Sequence, residues 1–235
     1  NGQILIGSTG AVPVLGTITG LGAVTVTNSA GGISIDAGGE FIGSLELAAA
    51  VGSNALTVSL KTSAGADPSS SAPVNIRFRD STITSGGYTN VAVTSALSVV
   101  LSAGSTLGFT SSMTSRIYIV ALNNSGAAEL ALYHPYNPTG PTLLGLSEAA
   151  LYSTTAEGGA GGADSAQTLY STSARTTVPI RILGYIEIQT GATAGNWSNA
   201  ATVIQVMGPG VRRTGDMIQK LETVLTTVAT GSTAI

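Results

Sequence analysis

Residues 1–36 read NGQILIGSTGAVPVLGTITGLGAVTVTNSAGGISID, and this stretch decides what kind of fold to expect. Short β-forming runs at residues 4–6, 23–27 and 33–35 alternate with Gly, Ser and Asn turns. Asp36 is the one charge, and there is no large aromatic side chain. Strands of three to five residues cannot close a core within one chain, because an isolated hairpin is marginal in water. Such a segment keeps its shape when further copies of the chain cover its apolar side. Residues 1–50 are therefore expected to form an intertwined oligomeric shaft, with Ile4, Ile6, Val24 and Val26 as candidate oligomerisation residues.

The remainder of the 235 residues extends the β pattern. Leu56, Val58 and Leu60 alternate with Thr57, Ser59 and Lys61, the period of a half-buried strand. Val74, Ile76 and Phe78 alternate in the same way with Asn75, Arg77 and Arg79. Residues 116–123 (RIYIVALN) are rich in β-branched and aromatic side chains, and Asn123-Asn124-Ser125-Gly126 predicts a hairpin turn into residues 128–133. Residues 178–188 (VPIRILGYIEI) form the strongest strand signal, with Ile180, Ile182, Ile186 and Ile188 expected on one face. A last strand is expected over 201–207. The prolines of residues 134–141 remove ladder donors, so that segment reads as a surface loop. Residues 155–166, centred on a glycine-rich run, read as a long flexible loop. Strands at roughly ten-residue spacing with turn signals between them predict an all-β, jelly-roll-like β-sandwich over residues 51–211.

Residues 212–235 differ. Asp216 can cap a helix, and Ile218, Leu221, Leu225 and Val228 recur at spacings of three, four and three. A helix this short is marginal alone. It is expected either to pack in an oligomer, which makes these four residues candidate oligomerisation positions, or to dock on its own β domain.

Composition narrows the function. Only 9% of residues are charged, against roughly 25% in ordinary domains. A surface of Ser, Thr and Asn is neutral and hard to titrate. Apolar content is high, yet no run of about 18 apolar residues occurs, so membrane insertion is not expected. With no cysteine, thiol, disulfide and zinc-thiolate chemistry are out of reach. Arg77/Arg79 and Arg212/Arg213 are pairs within a chain of net charge −3, too few clustered cations for nucleic-acid binding. Residue 1 is Asn, without an initiator Met or a signal-peptide pattern, so the chain is expected to be a piece of a longer protein.

Several stretches carry a resemblance. NGQ-x-LIG-x-TG-x-x-PV followed by V-TNSAGGI-x-I at the start is similar to the segment that precedes the distal domain in many tailed-bacteriophage fibre and appendage proteins. Residues 54–67 (NALTVSLKTSAGAD), 97–108 (LSVVLSAGSTLG), 116–133 and 169–197 (LYSTSARTTVPIRILGYIEIQTGATAGNW) resemble distal domains of the same group. The resemblance covers most of residues 1–208. It implies a homotrimeric structural fibre of the virion, with other virion proteins and a host-surface glycan or protein as partners, no cofactor and no catalytic motif. The alternatives are a head-fibre, decoration or collar protein that meets no receptor, a polysaccharide depolymerase, and a bacterial surface adhesin.

Candidate chemistry is sparse. His134 is the only histidine, and no G-x-S-x-G accompanies it, so a Ser-His-Asp triad is not expected. The twelve carboxylates are spread singly, and no metal-ligand spacing occurs. Binding is the stronger expectation. Tyr133, His134 and Tyr136 cluster in the proline-stiffened loop, and Trp197 stands in a Gly-Asn-Trp-Ser turn. Aromatic faces of this kind suit sugars or protein side chains. The competing reading places Tyr133 at the end of a core strand and Trp197 as an internal plug.

Overall fold

The computed structural model describes residues 4–8, 11–16, 24–29, 32–37, 42–43, 45–80, 87–159 and 164–207. Every regular element among them is a β-strand. The chain divides into two compact units, Asn1–Phe41 and Ile42–Ile235. The boundary falls before the expected one at residue 50, and the predicted C-terminal helix with Ile218, Leu221, Leu225 and Val228 lies outside the described residues.

The first unit holds two separate antiparallel hairpins. Strand β1 (Ile4–Ser8) pairs with β2 (Ala11–Gly16), and β3 (Val24–Ser29) with β4 (Gly32–Ala37). Ile4 and Ile6 lie on β1, and Val24 and Val26 on β3. None of the side chains described in this unit is buried. Val26 and Ile33 are half-buried, and Ile35 is 59% exposed.

The second unit begins with β5 (Ile42–Gly43), β6 (Leu45–Gly52) and β7 (Ala55–Thr62), followed by β8 (Val74–Arg79), β9 (Tyr88–Val93) and β10 (Leu97–Leu101). The long strands β11 (Thr114–Asn124) and β12 (Ala127–Tyr133) come next. After them lie the short β13 (Tyr136–Asn137), β14 (Thr142–Leu143), β15 (Leu151–Tyr152), β16 (Thr155–Ala156) and β17 (Leu169–Ser171). The unit closes with β18 (Val178–Gln189) and β19 (Val203–Val206). One sheet has the order β10-β7-β6 and another β5-β8-β9. The largest runs β15-β18-β11-β12-β17-β16, with β19 also on β18. β6, expected to end the shaft, pairs with β7 over its whole length, from Leu45↔Thr62 to Gly52↔Ala55.

The predicted alternation places the core. Leu56, Val58 and Leu60 on β7 and Val74, Ile76 and Phe78 on β8 are fully buried and join Ile117, Ile119, Leu132, Ile186 and Ile188 in one cluster. Each such side chain contributes about 1.5–3 kcal/mol on leaving water. The large sheet is apolar on its other face as well. There Val120, Leu122, Tyr133 and Ile180 form a second, smaller cluster, which follows from the period of two along β11.

Two turns close as their residues require. Ser125 and Gly126 take positive φ values of 53° and 94°, and Ser53 and Asn54 take 51° and 62°, the backbone of a type I′ hairpin. The Asn123 side-chain oxygen accepts the Gly126 amide at 2.8 Å. Strand β18 departs from expectation. Its register with β11 slips between Ile119↔Gly184 and Val120↔Ile182. A one-residue bulge exchanges the faces of a strand, so Ile180 enters the small cluster while Leu183, Ile186 and Ile188 enter the main core. The four isoleucines therefore do not share a face. Gly184 sits at this bulge, where a Cβ would lie 2.1 Å from the Gln205 carbonyl oxygen of β19.

Candidate contact surface

The end of β12 sorts the predicted aromatic residues onto opposite sides. Leu132 faces the main core and Tyr133 the small cluster. His134 follows and is fully buried. Its ring lies 4.1 Å, centroid to centroid, from Phe109. Nδ1 is 2.8 Å from the Leu107 carbonyl oxygen, and Nε2 is 2.9 Å from Ser115 Oγ. A carbonyl can only accept, so Nδ1 carries the proton and Nε2 accepts from the Ser115 hydroxyl. Burial holds the imidazole below its usual pKa, and the Leu107 bond offsets part of that shift. Phe109 meets Trp197 edge-on at 5.2 Å. Trp197 is fully enclosed, with Nε1 donating to the Ser105 carbonyl at 2.8 Å.

The structure thus brings His134 and Trp197 together through Phe109, with Tyr136 half-buried at the edge, 6.4 Å from His134. Tyr133 is set apart from them. Tyr133, His134 and Trp197 were expected to offer aromatic faces to a receptor, and that expectation is corrected: they are 2%, 0% and 0% exposed. Their polar atoms are taken up by backbone carbonyls and a serine, so their apolar bodies can be buried without an orphaned polar group. Tyr133 does end a core strand, as the competing reading has it. The Ser115–His134 bond is the first link of a triad, but a backbone carbonyl stands where a carboxylate would orient the ring, and the enclosed imidazole has no face open to solvent.

Phe109 and Ser115 escaped the sequence reading. Phe109 lies in a glycine-flanked connection 25 positions before His134, and no local pattern links them. Gly108 adjoins it at φ +73°, where a Cβ would meet Ala166 N at 2.4 Å. That close approach admits only glycine.

Carboxylates do structural work around this core. Glu157 accepts from Ser102 N at 3.0 Å and Ser102 Oγ at 2.7 Å. Asp164 Oδ2 accepts from Thr106 N at 2.7 Å, and its carbonyl from Gly108 N at 2.9 Å. Both flanks of the expected flexible loop are therefore fastened to residues 102–108. Arg175 grips Glu129 through two bonds of 2.7 Å, a bidentate pair that holds the carboxyl below its usual pKa. Arg116 pairs with Glu187 at 2.6 Å and stacks over Tyr185 at 4.4 Å. Arg181 pairs with Glu148, which also accepts the Ile182 amide at 2.7 Å. Among the described residues no cluster of His, Asp and Glu could hold a metal ion.

Among the described residues an apolar cleft of about 320 Å³ is bordered by Tyr118, Tyr133, Leu143, Leu144, Ile182 and Met207, among others. The Tyr133 hydroxyl donates to the Leu144 carbonyl at 2.9 Å and pins one wall. Leu143 is 77% exposed and Leu144 53%. A second, polar groove of about 370 Å³ lies by the β11–β12 hairpin, lined by Asp80, Asn123, Asn124, Ser125, Thr176 and Thr177 among others. Amides, hydroxyls and a carboxylate there suit a hydroxyl-rich ligand. Among the described residues no helix is long and apolar enough to cross a membrane. Comparison with protein-family models, with curated proteins and with solved structures gives no match.

Proposed function

We propose that this chain is a structural segment of a tailed-bacteriophage fibre, assembled as a homotrimer in the virion and used in attachment to the host surface. The observation that carries the reading is the first unit. Its second hairpin, β3–β4, leaves Val26 and Ile33 only half-buried and Ile35 59% exposed. Short hairpins with uncovered apolar residues are marginal in water, and copies of the same chain are the cover that a fibre shaft supplies. In this reading the hairpins intertwine as the shaft, and the second unit is a jelly-roll-like sandwich.

A non-catalytic role is supported by the use of the acids. Glu129, Glu148, Glu157, Asp164 and Glu187 each hold an arginine or a backbone segment. Attachment would use the polar groove by the β11–β12 hairpin, with three copies per fibre adding weak contacts together. The test is the mass of the intact chain in dilute solution by analytical ultracentrifugation. A trimer is expected. A monomer that melts cooperatively as one species overturns the reading. Binding of the trimer to host cells then separates an attachment fibre from a head-fibre, decoration or collar protein.

A further inference from the structure

We infer that the apolar cleft beside β12 is the docking site for the C-terminal segment of the same chain, with Ile218, Leu221, Leu225 and Val228 seated against Leu143, Leu144 and Met207. The inference concerns one chain and stands apart from the fibre reading.

The cleft is where exposed apolar surface gathers. Of the six large hydrophobic side chains exposed among the described residues, Leu143, Leu144 and Met207 all border it. Its other walls, Tyr118, Tyr133 and Ile182 among them, are uncharged as well. A concentration of apolar surface of this kind marks an interaction site.

The following sequence supplies a matching partner. Met207 is both a wall of the cleft and the residue after which the C-terminal segment begins. Gly208-Pro209-Gly210 discourages continuation of the β19 ladder. Residues 208–217 can span about 33–36 Å when extended, so reach does not limit return to the cleft. Ile218, Leu221, Leu225 and Val228 recur in the sequence at the spacing of one helix stripe, and Lys220 and Glu222 fall outside that spacing. A helix this short needs a surface to form against. A tether of ten residues provides an effective concentration in the millimolar range, which favours the chain's own cleft over that of a neighbour.

The absence of cysteine from the chain makes the test direct. Leu143→Cys and Leu221→Cys are introduced together into the full chain and treated with a short bis-maleimide. The products are weighed under denaturing conditions. The expected product has the mass of one chain, with both thiols consumed by one linker. A product at twice the chain mass overturns docking in the same chain. The absence of a cross-link, or an equal yield when Glu222→Cys replaces Leu221→Cys, overturns the assigned stripe. A second measurement needs no cross-link. Leu221→Asp with Leu225→Asp is expected to raise binding of an apolar-sensitive dye several-fold while the β-sheet circular dichroism is kept. Unchanged dye binding in that folded variant also overturns the inference. The oligomeric mass, which tests the fibre reading, is read separately from both.

Discussion

The two units share short β-forming runs and small polar turns, and they differ in how many strands they bring together. Both use β-strands, of five or six residues in the first unit and of up to twelve in the second, joined by small polar turns. In Ile42–Ile235 the strands stack as sheets, so Leu56, Ile76, Ile119 and Trp197 lose all contact with water. In Asn1–Phe41 each hairpin is a sheet of two strands, and the described side chains of β3–β4, Val26, Ile33 and Ile35 among them, are not buried. The difference is not strand propensity but the number of apolar faces a chain can bring together. A unit with several sheets closes a core by itself, whereas paired ribbons need something outside themselves.

The largest effect comes from cutting that comparison in two. Residues 42–235 expressed alone are expected to keep the β circular dichroism and melting temperature of the second unit, while residues 1–41 alone are expected to lose their β signal. If the short fragment keeps it as a monomer, the contrast fails. Next in size is Trp197→Ala, which removes the Phe109 contact and orphans the Ser105 carbonyl. It is expected to destabilise the second unit by about 3–5 kcal/mol, read from urea unfolding. Gly184→Ala drives a methyl toward the Gln205 carbonyl and is expected to cost about 1–3 kcal/mol, with amide exchange in β19 rising first.

The smallest effect is a pH slope from His134. Its folded pKa lies below the ordinary value of 6.5 because the ring is buried. Well above that value both folded and unfolded chains hold it neutral, and stability is at its full level. As pH falls through the unfolded value, the unfolded chain takes up a proton that the folded chain refuses. Stability then drops, and the drop levels off below the folded pKa. Urea midpoints measured between about pH 7 and pH 5.5 are expected to decline, and His134→Gln is expected to flatten that part of the curve. An unchanged slope in the variant would assign the effect to other groups.

What the residues reveal locally was legible wherever neighbours in sequence are also neighbours on one strand. The alternations at 56–60 and 74–78 and the Asn123–Gly126 turn were read from spacing alone. Where the reading failed, distant partners decided the outcome. The run of small residues on β6 has weak alternation, and its place in the second unit depends on pairing with β7. The bulge in β18 reverses the faces of a strand whose sequence period is unbroken. Tyr133, His134 and Trp197 stand in loop-like surroundings in the sequence, yet Leu144, Leu107 and Ser105 satisfy their polar atoms from elsewhere in the chain. The cleft is assembled from β11, β12, the 143–146 segment, β18 and the residue after β19, and no single stretch encodes it.

By itself, then, the sequence determined an all-β chain of low charge with apolar positions at period two, because alternation and turn conformations are short-range properties of the backbone. Only the tertiary structure decided which face of each strand is covered, which aromatic residues are enclosed and where apolar surface stays open. Those outcomes depend on contacts between segments tens of residues apart, and local sequence carries no record of which segment will arrive.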